Sequence, residues 1–229
     1  YGQDVRLLIS LSGIVPEGGS ETPALLTLIE RNAKGDAVPV SEYHLLFTPE
    51  SDAPAPSSSG SLTLVSGWNF VSVPRPLAAG NDTAAIFADV DADGHSAFRY
   101  DTVAGDWIAL QETDPLAPLE GIWIYSAGPA AVPLTFSTNP RTLPAERALD
   151  SGWNAIGITG TAPVTARDVL YSVNGQWATL MGFDAGHQVF ETAVINGGSG
   201  EYADDRMVYQ GRGYWLYMTG PGTLCAIGV

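Results

Sequence analysis

In the stretch DVDADG, Asp89 to Gly94, three carboxylates alternate with apolar residues ahead of a glycine. Calcium is held by oxygen ligands. A loop with carboxylates at its first, third and fifth positions and a turn-forming glycine at its sixth is one way to supply them. Asp89, Asp91 and Asp93 are therefore candidate calcium ligands. Calcium is the one cofactor the sequence suggests; otherwise none is expected. The second half of such a loop departs from the pattern. Counting from Asp89, the ninth position is Ala97 and the twelfth is Tyr100, with Asp101 one residue past the place for a bidentate carboxylate. A solvated acidic loop competes with the calcium site.

Other chemistry is thinner. His44, His95 and His187 stand apart, with no second ligand at metal spacing and no cysteine cluster, so zinc is not expected. The glycine-rich INGGSGEY, residues 195–202, lacks the Lys-Ser/Thr of a phosphate-binding loop. It also fails the Gly-x-Ser-x-Gly pattern of a nucleophile elbow, and reads as a mobile loop. Acidic residues are plentiful, but no spacing singles out a glycosidase pair. No catalytic residues are assigned, and the chain reads as a non-enzyme. Asn81-Asp82-Thr83 is a sequon, which makes Asn81 a glycosylation candidate in an exported chain.

The tryptophans carry the strongest pattern. SGWNFVSVP at 66–74 returns as SGWNAIGIT at 151–159, and GIWIYSAGP at 121–129 returns as GYWLYMTGP at 213–221. Between them, YDTVAGDW ending at Trp107 is set against YSVNGQW ending at Trp177. Phrases recurring in the same order point to an internal duplication. Trp68, Trp107 and Trp123, with their partners Trp153, Trp177 and Trp215, sit in apolar contexts at matched positions and read as core residues. A sugar-stacking platform is the rival reading.

The elements that must position these residues are strands. Short alternating runs are punctuated by Gly, Pro, Asn and Asp, which is an all-β pattern. In GIWIYSAGP, Trp123 and Tyr125 share one face and Ile122 and Ile124 the other, so the phrase reads as a module's closing strand, covered on both sides. Short helices are expected at DTAAIFADV (82–90) and TARDVLYSV (165–173), capped by Asp82 and Thr165. The organisation expected is an N-terminal β segment over 1–49, a Pro/Ser-rich linker over 50–61, and two sandwich- or arch-like β modules over 62–140 and 141–229. Within the first segment, QDVRLLISLSGIV holds one strand, and two more flank Asn32–Asp36.

The formal net charge of −15 includes one lysine, Lys34. Such a field repels phosphate backbones, so nucleic-acid partners are not expected. The single cysteine, Cys225, excludes an intramolecular disulfide and reads as a small buried residue of the last strand. No apolar run is long enough for a membrane-spanning helix. A chain that starts at Tyr1 without a leader is what signal-peptide removal would leave.

As an ordered set, SGWNFVSVP, NDTAAIFADVDADGHSAFRYD, GDWIAL, LAPLEGIWIYSAGP, SGWNAIGITG and GRGYWLYMTGPGTL resembles modules of secreted cell-surface proteins of methanogenic archaea. Those modules are similar to candidate surface-layer and sheath components. The resemblance spans residues 62–229 and implies an exported structural role without catalytic residues. The expected function is a structural subunit of an extracellular envelope, sheath or filament that self-assembles through strand edges. The alternative is a carbohydrate-binding or adhesive module whose partners are cell-surface glycans.

Overall fold

The computed structural model describes the backbone of residues 22–31 and 37–47, and residues 59–138 and 144–226 in full. Two compact units divide the chain, 1–56 and 57–229. In the first, β1 (Thr22–Arg31) and β2 (Ala37–Phe47) pair antiparallel from Thr22↔Phe47 to Arg31↔Ala37. The register slips between Leu28 and Ile29, opposite Pro39, whose nitrogen has no proton to give the ladder. These are the strands expected on either side of Asn32–Asp36. The strand expected within QDVRLLISLSGIV lies outside the described residues.

The second unit is all-β, built from antiparallel sheets. Its first half holds β3 (Ser59–Leu64), β4 (Gly67–Val71), β5 (Phe98–Asp101), β6 (Asp106–Ala109), β7 (Ile122–Ser126) and β8 (Ala130–Thr135). Its second half holds β9 (Glu146–Leu149), β10 (Gly152–Gly157), β11 (Val164–Thr165), α1 (Ala166–Val169), β12 (Trp177–Asp184), β13 (Val189–Phe190), β14 (Val194–Ile195), β15 (Met207–Val208), β16 (Gly213–Met218) and β17 (Gly222–Cys225). The two main sheets run β4-β7-β5-β6 and β10-β16-β12-β13, with β14 also on β12. A two-stranded ladder accompanies each, β3-β8 in the first half and β9-β17 in the second. The first strand of each half thus pairs with the last, and the middle hairpin lies beyond the central strand.

Each half has its own core. Leu62, Leu64, Val71, Ile122, Ile124, Val132 and Leu134 cluster in the first, placing the β3-β8 ladder over the inner face of its sheet. Leu149, Ile156, Leu180, Tyr214, Leu216, Met218 and Leu224 do the same in the second. Each fully buried Leu or Ile contributes about 1.5–3 kcal/mol by leaving water. The phrase GIWIYSAGP is central, not closing: Gly-Pro turns the chain into β8, which closes on β3, and GYWLYMTGP leads into β17 likewise. β3 also begins at Ser59, inside the stretch assigned to the linker. The expected helices shrink to a 3-10 turn at Ala84–Phe87 and the single α-turn of α1. Thr165 caps α1, accepting from the Asp168 N–H, whereas Asp82 caps nothing and instead accepts from the Gly80 N–H.

The two halves join reciprocally. Val71 bridges to Arg212, and Ile156 bridges to Glu120. Thus the end of the first sheet strand of each half meets the segment entering the central strand of the other, the pattern of a self-complementary interface. The leading glycines of the repeated phrases lie at this joint. A Cβ on Gly121 would sit 2.8 Å from the Ile156 carbonyl oxygen, and one on Gly213 would collide with the Phe70 ring. Arg147 spans the joint, donating to the carbonyls of Leu119 and Ala155. Burial pushes the Glu120 carboxyl up and the Arg147 guanidinium down, each opposed by the attraction between them.

Candidate ligand-binding cleft

The Ser-Gly-Trp-Asn phrase is a turn clamp that aims a tryptophan. Asn69 is buried, donates to the carbonyls of Val65 and Gly67, and accepts from the Val65 N–H at 2.9 Å. Asn154 does the same with Asp150 and Gly152, and its oxygen also accepts from Thr102 of the other half. The clamp needs the positive φ of Gly67 (99°) and Gly152 (105°), which glycine adopts without strain. Because side chains alternate along a strand, burying Asn69 turns Trp68 and Phe70 to the opposite face.

On that face the cross-strand partners are aromatic. Trp68 pairs with Tyr125, Phe70 and Phe98 with Trp123, and Tyr100 with Trp107. In the second half Trp153 pairs with Tyr217, Ala155 with Trp215, and Phe183 with Phe190. Phe70, Ala155 and Phe183 bury themselves between the sheets, with Trp68, Trp123 and Trp215 packed on them. These three tryptophans, together with Phe98, Trp107 and Phe190, line an open cleft of about 450 Å³. Both halves contribute. Its rings are not coplanar: Trp107 meets Trp123 at 87° and Trp215 at 82°, and Phe190 meets Trp123 at 71°. One face of Trp123 is covered by Phe70, stacked at 4.6 Å, and the Trp123 indole N–H is buried without a hydrogen-bond partner.

Full burial in a core is reached by Trp177 alone, while Trp68, Trp123 and Trp215 are half-buried against the Phe70, Ala155 and Phe183 cluster. Trp177 is 3% exposed and belongs to the second core, whereas Trp107 is 45% exposed and Trp153 38%. The match of Trp107 to Trp177 fails. Trp107 lies on the second strand of the β5-β6 hairpin, and the residue in that place on β12-β13 is Phe190. Asp101 and Asp184 close the two hairpin turns, accepting from the backbone N–H groups of Val103 and Ala104 and of His187. The His187 hydrogen bonds hold the Asp184 carboxyl below its ordinary range. Phe98 and Phe190 were missed. For Phe190 the signal was an aromatic-Asp pair followed by another aromatic six residues after the aspartate, present as Tyr100-Asp101…Trp107 and Phe183-Asp184…Phe190; Phe98 follows by alternation from Tyr100.

Gln188 fixes the cleft's edge. Its amide accepts from the Trp68 N–H at 2.9 Å and donates to the Trp68 carbonyl at 2.8 Å, occupying the open edge of β4 from the other half.

The remaining candidates lie apart from the cleft or at its rim. The Asp91 carboxylate accepts from the Asp93 N–H, and among the described residues no group of three His, Cys, Asp or Glu side chains is placed to hold a metal ion, so Asp89, Asp91 and Asp93 are not gathered into one. Asn81 is exposed. His95 stacks on Tyr125 at 4.4 Å, beside Trp68. The 195–202 loop is tied rather than free: Arg206 donates to the Thr192 and Glu201 carbonyls, and Asp204 accepts from the Gly197 N–H. Cys225 is half-buried with a free thiol. Among the described residues no helix is long and apolar enough to cross a membrane.

In comparisons with protein families, curated proteins and solved structures, nothing matched this chain.

Proposed function

We propose that the second unit is a non-catalytic, extracellular binding or adhesive module, and that its ligand is held in the aromatic cleft. One observation carries this: six aromatic side chains from both halves line a single open volume. Leaving such rings half-solvated forgoes burial that a folded chain ordinarily takes, and exposed aromatic clefts of this size are typical of ligand sites. Phe and Trp side chains supply no nucleophile, general acid or base, which favours binding over catalysis. The flat platform expected for sugar stacking is replaced by rings at steep angles. The matching strand order, paired asparagine clamps and reciprocal joint support an origin by duplication.

The test is thermal shift and tryptophan emission of the full chain against soluble saccharides and small organic ions, repeated with Trp107→Ala and Trp215→Ala. At least one ligand is expected to bind the wild type and to lose about tenfold or more in affinity in either variant. Binding that ignores both substitutions would contradict the proposal.

A structural, self-assembling role of the kind the surface-protein resemblance implies has its own support. Among the described residues the first unit is an antiparallel β1-β2 pair, and a two-stranded pair suits strand addition by a neighbouring chain. Deleting residues 1–56 should leave the second unit folded and abolish any layer, tube or filament visible by electron microscopy. Unchanged assembly would remove this role from the segment.

A further inference from the structure

We propose that the cleft is a cation cage, and that its ligand carries a fully alkylated ammonium group. The inference rests on reading the cleft as a binding site and names what it binds. A cation is drawn to the face of an aromatic ring, to tryptophan most strongly. Four of the six lining residues are tryptophans, and neighbouring rings stand at 68° for Trp68 and Trp123, 77° for Phe98 and Trp107, and 82° for Trp107 and Trp215. Rings set so steeply wall one space from several directions. A shelf for a flat sugar would hold them parallel.

Hydrogen-bonding capacity narrows the class further. The lining side chains offer only indole N–H donors and no acceptor. A saccharide would bring hydroxyl protons, and a primary ammonium three N–H groups, to be buried without partners at considerable cost. A quaternary nitrogen brings none. Its charge is spread over its alkyl groups, and those groups fit an apolar volume.

Charge points the same way. The chain's formal net charge is −15. The hairpins that present Trp107 and Phe190 also carry Asp101, Asp106 and Asp184. Arg99 on β5 and Arg212 just ahead of β16 are already engaged, the first with Asp114 and Glu120 and the second with Glu191. The field at the cleft therefore concentrates cations and disfavours anions. At about 450 Å³ the space admits an alkylammonium head together with part of what it is attached to.

The experiment titrates the full chain with choline and, in parallel, with 3,3-dimethylbutan-1-ol, the same molecule with carbon in place of the charged nitrogen. Tryptophan emission is the readout. Choline is expected to bind at least about tenfold more tightly than its neutral counterpart. Trp107→Ala, at an exposed position, should abolish that binding while the chain stays folded, its melting temperature lower by about 4 °C at most, whereas Trp107→Phe retains part of it. Equal affinity for the two probes would overturn the cation class while leaving the cleft a binding site. So would a saccharide that binds in a Trp107-dependent way where choline does not. If no probe or saccharide responds to Trp107, the cage and the binding module fall together.

Discussion

The two halves of the second unit share a frame and differ in what they hang on it. The order of the four main sheet strands, the asparagine clamp, the entering glycine and the reciprocal joint correspond, while β14 and the β11-β15 pair belong to the second half. On the cleft side the first half places Phe70 where the second has Ala155, Phe98 where it has Met181, and Trp107 where it has Phe190. The first half therefore supplies most of the lining, and the second supplies Trp215, Phe190 and the Gln188 clamp. Positions that set the backbone are constrained in both halves because each half must fold. Positions facing the cleft are free of that constraint, and there the halves differ.

The comparison is tested most severely by the two tryptophans that sequence alone would equate. Trp177→Ala empties a buried core site and should cost about 3–5 kcal/mol, while Trp107→Ala should cost about 1 kcal/mol at most, since it removes only half-exposed ring contacts. Denaturant unfolding reads both, and equal losses would restore the equivalence rejected above. The clamps come next. Asn69→Ala and Asn154→Ala each strand part-buried backbone groups and should cost about 1–3 kcal/mol apiece. A large disparity would mean that the shared frame is only apparent.

A smaller effect separates the cores by pH. Tyr214 occupies the place that Ile122 holds in the first half, and burial pushes its phenol up to about 12 from an ordinary 10. Its neutral form is favoured by the fold, so this contribution is complete below pH 10 and is lost as pH rises through about 12. The loss is on the order of 2 kcal/mol. Tyr214→Phe should flatten the stability profile over that window, at some cost at neutral pH because its hydroxyl accepts from the Tyr209 N–H. An unaltered profile would contradict the assignment. The smallest effect concerns Asp89, Asp91 and Asp93, which have no acidic counterpart in the second half. Chelation should leave the melting temperature unchanged. A drop that Asp91→Asn abolishes would establish calcium there.

The all-β class and the elements around the repeated phrases were legible because alternation and glycine placement are local. The cleft was not, for two physical reasons. A tryptophan in an apolar strand looks the same whether its face meets a core or solvent, so Trp68, Trp123 and Trp215 gave no sign of which side they faced. The hairpin register was also hidden, because Trp107 and Phe190 are matched by their distance from a turn-closing aspartate, while the eye pairs tryptophan with tryptophan. The calcium pattern is legible only as spacing: alternate carboxylates in a loop need not converge, and here the Asp91 carboxylate accepts from the Asp93 N–H.

The most direct test follows the six indole N–H resonances in a two-dimensional nitrogen–proton spectrum of the full chain as choline is added. The signals of Trp68, Trp107, Trp123 and Trp215, whose rings line the cleft, should move together along one saturable curve. Trp177, sealed in the second core, should stay still. Four stationary cleft signals, or a Trp177 that moves with them, would contradict the claim that two like halves face their tryptophans into one binding site.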